Sequence, residues 1–314
     1  MVVGQSPGSM HKPMKLAILG ASGIGKVHAR IFHSLGAEVS AILGSSMPSA
    51  VKTAEMLFTS FGFRPKPFEN IDDLLAEPID AVCICTPPHL HFNQMIRALD
   101  KGLPVFCEKP LFWDADLTVN SVKEKLEQLK LHPQRRLIMN APNAFFLDVI
   151  RDRFNPEEIK TFKFSFHTNG NYKGPDIGID LFTHGLSILY RVFGLRKTAD
   201  YSFTYTDSTY CCQFLYGNSR VEFDFRADPK GAKYFALQMD DRIFTRIQEG
   251  AGATYNLYFH DSVTDEKIKV EDPFVQSIRA FIQYYNAGAP LGKDQFERSE
   301  MIMNMMSENL ITKP

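Results

Sequence analysis

The residues best suited to chemistry begin right after the first apolar run. Gly20-Ala21-Ser22-Gly23-Ile24-Gly25 directly follows KLAIL. This is a G-x-S-x-x-G pattern, with serine where the usual second glycine lets backbone approach a pyrophosphate. Serine is the smallest departure, and Gly23 beside it keeps the loop pliable. A helix starting at Gly23 turns free N–H groups and the positive end of its dipole toward an anion. A plain strand-to-helix turn is the competing account. The strand before the loop and the amphipathic helix after it favour a dinucleotide, held by Gly20, Ser22, Gly23, Ile24 and Gly25.

A ribose diol is usually held by an acid about 20 residues further on, at the end of the second strand. Here that strand ends AILGSSMPSA, and the loop offers Gly44, Ser45 and Ser46 without a carboxylate. Hydroxyls and loop N–H groups suit a 2′-phosphate, so Ser45 and Ser46 point to NADP over NAD. No arginine stands in the loop, and Lys52 reads equally well as a solvated helix lysine. A further stretch, VFCEKPLF at 105–112, sets Glu108 and Lys109 at the mouth of an apolar strand and shuts it with Pro110. The proline restricts the residue before it and allows a cis Lys109-Pro110 peptide. Alone, E-K-P would read as a surface lysine at a strand end. The five cysteines, Cys83, Cys85, Cys107, Cys211 and Cys212, form no C-x-x-C pair. Four of them lie in apolar runs, so buried thiols in a reducing cytosol are expected rather than disulfides, a metal site or a nucleophile. Cys83 and Cys85 alternate with apolar residues and are expected on one side of a strand.

The elements that must position these residues have two textures. Residues 14–140 alternate apolar strands with helix-period segments, as in KLAILG, AEVSAILG, IDAVCICTPP, PVFCEKP and RRLIMN. Alternation of this kind means βαβ units and a parallel, doubly wound sheet. After 140 the period is two: Phe162, Phe164 and Phe166, then Val221, Phe223 and Phe225, with turn formers between runs. That predicts an α+β domain over 141–314 with an open, mainly antiparallel sheet, interrupted by a helix at 176–193 and ended by a helix from Phe274. One polar-alternating face of this sheet is expected to be wet or to meet a second copy, making a homodimer or homotetramer. The opening MVVGQSPGSMHKP is expected to be a flexible tail over 1–13. Over 314 residues, Lys+Arg 35 balance Asp+Glu 36, which argues against nucleic-acid and anionic-membrane partners. No apolar run reaches the roughly 18 residues of a membrane span.

Three stretches together, GASGIGKVHA, CTPPHLHFNQMIRALDKGLPVFCEKPL and GIDLFTHGLSILYRVFG, resemble the glucose–fructose oxidoreductase / inositol dehydrogenase / rhizopine-catabolism family of oxidoreductases. FVQSIRAFIQYYNAGAP looks like the family's last helix, so the resemblance spans nearly the whole chain. It implies a Rossmann domain, a second domain on an open sheet, and hydride transfer between a nicotinamide cofactor and a sugar, polyol or related hydroxy compound. Lys109 then projects into the active site, holds the reacting oxygen and stabilises developing negative charge. The cofactor edge gains Thr86, Pro87, His91, Glu108 and Lys109. The family's D-x-x-x-H motif falls on Asp180 and His184, whose spacing puts both on one helical face. His184 would exchange the hydroxyl proton, and Asp180 would orient the ring or bind substrate. Asp176 is expected as the helix N-cap after Pro175, or at the edge of the substrate pocket. Asn140 and Tyr172 are candidate substrate contacts, against turn and exposed-loop readings. An Asp/His pair is half a metal site, but no third ligand is evident, so no metal is expected.

This sequence departs from the family pattern in two places. Ser187 stands where an acid is frequent, and MNAPNAFF replaces a segment that commonly carries an arginine. These positions touch substrate choice more than the reaction core. A second reading therefore stays open: a nicotinamide-binding regulator or assembly protein of the same fold, without turnover.

Overall fold

The structure is a computed structural model that describes residues 12–251, 254–288 and 293–311, so the expected tail lies outside the described residues up to residue 11. The chain forms two compact units, one ending at Cys85 and one beginning at Thr86. The first contains β1 (Lys15–Leu19), α1 (Ile24–Ser34), β2 (Glu38–Leu43), α2 (Met47–Phe61), β3 (Lys66–Phe68), α3 (Ile71–Leu75) and β4 (Ala81–Ile84). Strand β1 pairs in parallel with β2 on one side and β4 on the other, and β3 extends the β2 edge in parallel. Leu16, Ala17, Ile18 and Leu19 are fully buried, as are all four residues of β4. Strands covered on both faces read as continuous apolar runs, which is why KLAIL and AVCI were visible in the sequence. The order of connection reverses between β1 and β4, the point where open α/β sheets place ligands at the carboxyl ends of their strands.

The second unit begins with α4 (Pro88–Asp100), β5 (Val105–Cys107), α5 (Val119–Leu131) and β6 (Leu137–Met139), with β5 and β6 paired in parallel. The strand–helix alternation of residues 15–139 is thus a Rossmann pattern of six parallel strands. Two 3-10 helices, Pro142–Val149 and Arg151–Arg153, follow. Then come β7 (Thr161–Thr168), α6 (Pro175–Phe193), β8 (Thr198–Tyr205), β9 (Thr209–Tyr216), β10 (Ser219–Ala227), β11 (Tyr234–Met239), β12 (Arg242–Ala251), β13 (Thr254–Asp261) and β14 (Glu266–Val270).

These strands build one eight-stranded sheet, ordered β14-β13-β12-β11-β7-β10-β9-β8. Every neighbouring pair is antiparallel except β7 with β10, which run parallel and in register from Thr161↔Arg220 to Thr168↔Ala227. The helix expected to end the chain is α7 (Pro273–Ala287), but α8 (Lys293–Met306) and a π-helical turn (Ser307–Ile311) follow it.

One face of this sheet is a phenylalanine layer. Phe164 meets Phe223, Phe225 and Phe235 at ring separations of 6.1, 5.9 and 5.1 Å. Alternate residues of each strand supply it, since side chains switch face at every step. Helix α6 lies close against this layer at Gly185, where a Cβ would stand 2.8 Å from two ring carbons of Phe223. Any larger residue there would hold α6, and the groups it carries, off the sheet.

Candidate active site

The loop after β1 is built for close approach. Gly20 has φ 82° and Gly23 has φ 58°, both in the left-handed region that favours glycine. A Cβ on Gly25 would lie 2.2 Å from the Gly20 carbonyl oxygen, so the first turn of α1 packs against the loop only because that side chain is absent. Ser22 and Gly23 are exposed, Gly23 has no neighbour near the position of a Cβ, and α1 has no acid in its first turn. An open glycine cradle at a positive helix end fits a dinucleotide's pyrophosphate.

The loop after β2 carries a group that the sequence order concealed. Ser45 is exposed, and Ser46 caps α2, its Oγ accepting from the Ser49 N–H at 3.4 Å. The Met47 N–H donates to Glu69 Oε2 at 2.8 Å. A carboxylate from beyond β3 therefore stands beside the serines, where the loop's own sequence has none.

In the second unit, β5 delivers Glu108 and Lys109, and the Lys109-Pro110 peptide is cis. Lys109 Nζ donates to Asp180 Oδ1 at 2.6 Å and to the Asp180 carbonyl oxygen at 2.9 Å. The two side chains keep 15% and 25% of their exposure, so the pair is partly shielded yet reachable. Two of the ammonium's three N–H bonds are thereby used. Asp180 is thus the partner of Lys109, where spacing along α6 had suggested His184.

His184 follows one turn later on the same face of α6, is 9% exposed, and meets the Phe166 ring edge-on at 5.4 Å. Its Nδ1 has no hydrogen-bond partner among the described residues. Burial, and then the positive charges of Lys109 and Arg246, hold the ring well below its ordinary pKa of 6.5. It is therefore neutral at pH 7, with a ring nitrogen to spare.

Several candidate residues turn out to support the site from behind. Asn140 is fully buried; its Nδ2 donates to Glu108 Oε1 at 2.6 Å and its Oδ1 accepts from Ser277 Oγ at 2.6 Å. Its amide fixes Glu108 and presents no surface to a sugar. Glu108 is also buried and accepts from the Lys109 N–H at 3.3 Å. His91 is buried between two carbonyls, with Nε2 2.7 Å from Thr86 O and Nδ1 3.1 Å from Pro110 O. It ties the turn after β4 to the turn that aims Lys109. Thr86 Oγ1 donates to Gln94 Oε1 at 2.6 Å, and Pro87 is the N-cap residue of α4, a helix whose first turn is free of acids.

Asp176 is not the N-cap of α6. That position is Gly174, and Asp176 sits exposed in the first turn, where its charge complements the helix dipole. Tyr172 is exposed in the preceding loop. Ser187 Oγ donates to the His184 carbonyl at 2.9 Å and so is absorbed by its own helix. Sequence reasoning missed Arg246. Its signal was phase: in RIFTRIQ it occupies the apolar position two residues after Phe244.

Cys83 and Cys85 do share a side, with sulfurs 3.5 Å apart. Among the described residues there is no cluster of three or more His, Cys, Asp or Glu side chains that could hold a metal. No helix among them is long and apolar enough to cross a membrane.

Residues 14–137 match the model of an oxidoreductase family with an NAD-binding Rossmann fold. An inositol 2-dehydrogenase of Corynebacterium glutamicum is 32% identical over 124 residues, which is 38% of this chain and 35% of the relative. The match therefore spans about a third of that relative's length. A 3-ketoreductase from Actinomadura kijaniata, solved with NADP, superposes with a TM-score of 0.72 at 19% identity, covering 95% of this chain and 97% of the other. A protein of gentamicin A biosynthesis, solved with NAD, gives 0.70 at 13% identity over 98% of this chain and 96% of the other. The two structural likenesses establish the fold along essentially the whole chain.

Proposed function

Through residues 14–137 the chain belongs to the glucose–fructose oxidoreductase / inositol dehydrogenase / rhizopine-catabolism family, and on that premise we propose that it moves a hydride between a nicotinamide cofactor and a sugar, polyol or related hydroxy or carbonyl compound. We take 14–140 as the nucleotide-binding domain and 141–314 as the domain that binds substrate and, through its sheet, a second copy. The observation that carries the reading is the ammonium of Lys109, held by Asp180 with one N–H to spare, together with the neutral, unpartnered imidazole of His184.

Gly20, Ser22, Gly23, Ile24 and Gly25 hold the cofactor's pyrophosphate. Bound there, the nicotinamide supplies or accepts the hydride. In oxidation, the third N–H of Lys109 holds the substrate oxygen and stabilises its growing negative charge. His184 takes the hydroxyl proton as the hydride leaves carbon, and returns it in reduction. Asp180 keeps the lysine aimed. Asn140, Glu108 and His91 fix the backbone that delivers it. Cofactor choice turns on the loop after β2: Ser45 and Ser46 favour the 2′-phosphate of NADP, and Glu69 opposes it.

The test uses cofactor-stripped protein, titrated with NADPH and NADH side by side by nicotinamide fluorescence and then screened with sugars and polyols. Lys109→Ala should bind cofactor like the wild type and lose about 10²- to 10³-fold in turnover, the usual loss for one donor to a developing oxyanion. Turnover preserved in the variant sinks the assignment of Lys109. Wild-type protein that binds cofactor tightly and turns over nothing is instead a nicotinamide-binding regulator or assembly protein.

A further inference from the structure

Arg246 lies where the strand pattern calls for an apolar side chain. On β12 it shares a face with Phe244, which is fully buried, and its register partner on β13 is Phe259, also fully buried. Its guanidinium carbon is 4.6 Å from the ring centre of Phe235, 5.8 Å from Phe166 and 5.9 Å from Phe146. Three rings attract the cation, but they cannot serve its five N–H donors. Among the described residues no carboxylate pairs with it. Burial accordingly pushes its pKa down to about 10.

This cation belongs to the neighbourhood of the candidate active site. Phe166 carries the guanidinium at 5.8 Å and the His184 ring at 5.4 Å. Arg246 and Lys109 both bear electrostatically on His184. The cluster therefore contains two cations, Lys109 and Arg246, and the carboxylates beside it are engaged elsewhere, Asp180 by Lys109 Nζ and Glu108 by the Asn140 amide and the Lys109 N–H. Among the described residues the Arg246 guanidinium is left without a carboxylate in an aromatic, partly dry setting, where an unpaired charge is costly. Arginine's planar fork binds carboxylate and phosphate through two parallel hydrogen bonds, and the rings hold that fork in place.

We propose that Arg246 determines specificity by receiving an anionic oxygen group of the substrate, a carboxylate or a phosphate. The substrate is then an acidic or phosphorylated sugar or polyol, in contrast to a neutral one. The proposal rests on the hydride-transfer reading of Lys109 and His184, but anion binding can be measured apart from turnover.

Cofactor-saturated protein is titrated calorimetrically, at fixed ionic strength, with D-glucuronate, D-glucose 6-phosphate and D-glucose. At least one anion should bind about 10- to 100-fold more tightly than glucose, the worth of a hydrogen bond to a charged group. Preference for glucuronate identifies a carboxylate, and preference for the 6-phosphate identifies a phosphate. Arg246→Met keeps the stem against the rings and should erase the preference, so that neither anion binds more tightly than glucose. Arg246→Lys keeps the charge without the fork and should fall between the two. Circular dichroism and the thermal midpoint establish that each variant is folded. Equal binding of all three probes, no binding of either anion, or a preference that survives in folded Arg246→Met overturns the proposal. Anions that bind through Arg246 but are never oxidised or reduced would leave this subsite standing and remove the hydride-transfer reading alone.

Discussion

Replacing His184 by asparagine should flatten the loss of stability in mild acid. Because the folded ring is held well below the ordinary pKa of 6.5, it refuses a proton that the unfolded ring accepts. Well above pH 6.5 both states are neutral and the group costs next to nothing. As the pH falls through 6.5, the unfolded state gains protons and folding weakens. One such group costs about 1 kcal/mol between pH 6.5 and 5.5, and about 1.4 kcal/mol for each further unit while the folded ring stays neutral. His91 is shifted in the same direction, chiefly by burial, and adds to the slope of both proteins, so their difference isolates His184.

The assay is urea unfolding at half-unit steps from pH 7.5 to 5.0, read by the fluorescence of the chain's one tryptophan, Trp113, which lies in the same compact unit as His184. Wild-type stability should fall more steeply below pH 6.5 than that of His184→Asn, by about one proton's slope. Parallel curves would refute the reasoning, because they would mean that the ring takes up its proton in the folded state as readily as in water.

Two other substitutions probe the parts that hold the site. Gly25→Ala should abolish tight NADPH and NADH binding in fluorescence titration, because its Cβ would lie 2.2 Å from the Gly20 carbonyl oxygen; affinity within about threefold of wild type would contradict a close-packed cradle. Asn140→Leu strips a donor from buried Glu108 and the acceptor from the Ser277 hydroxyl, and should lower unfolding stability by about 1–3 kcal/mol per orphaned group. A change under about 0.5 kcal/mol would mean that water or a neighbour replaces the amide.

What could be read in the sequence was local. KLAIL and AVCI announced buried parallel strands because both faces are covered, and the glycine spacing after β1 announced the turn. Gly62 ends α2 in the left-handed conformation common for a glycine just past a helix. Other elements left no local mark. Strand β3 is a three-residue piece around Pro67, too short to show a period. PNAFFLDV is apolar without alternation and folds as a 3-10 helix. In KDQFERSEMIMNMM the polar first half hides α8, which buries Met301, Ile302 and Met303.

At the site, the spacing of Asp180 and His184 placed both on one face of α6, but the partner of Asp180 is Lys109, 71 residues away. Glu69 reaches the loop after β2 from another strand, so no reading of that loop alone would find it. Arg246 was legible only as a charge in an apolar phase.

The parallel pairing of β7 with β10 has a consequence for how the site comes into being. Between these strands lie α6, β8 and β9, so the helix that bears Asp180 and His184 is itself part of the connection that the pairing closes. The antiparallel neighbours β8–β9, β9–β10, β11–β12 and β13–β14 are joined by short turns and close at little entropic cost. The β7–β10 pair joins residues 59 apart in the chain, and such non-local pairings are the slow part of folding. The hairpins can assemble and the chain can gain most of its strand content while α6 still lacks the phenylalanine layer it packs on. A refolding chain should therefore recover its β-sheet signal before it buries the His184 ring, and pass through a stage in which the scaffold is largely built and the chemistry is not.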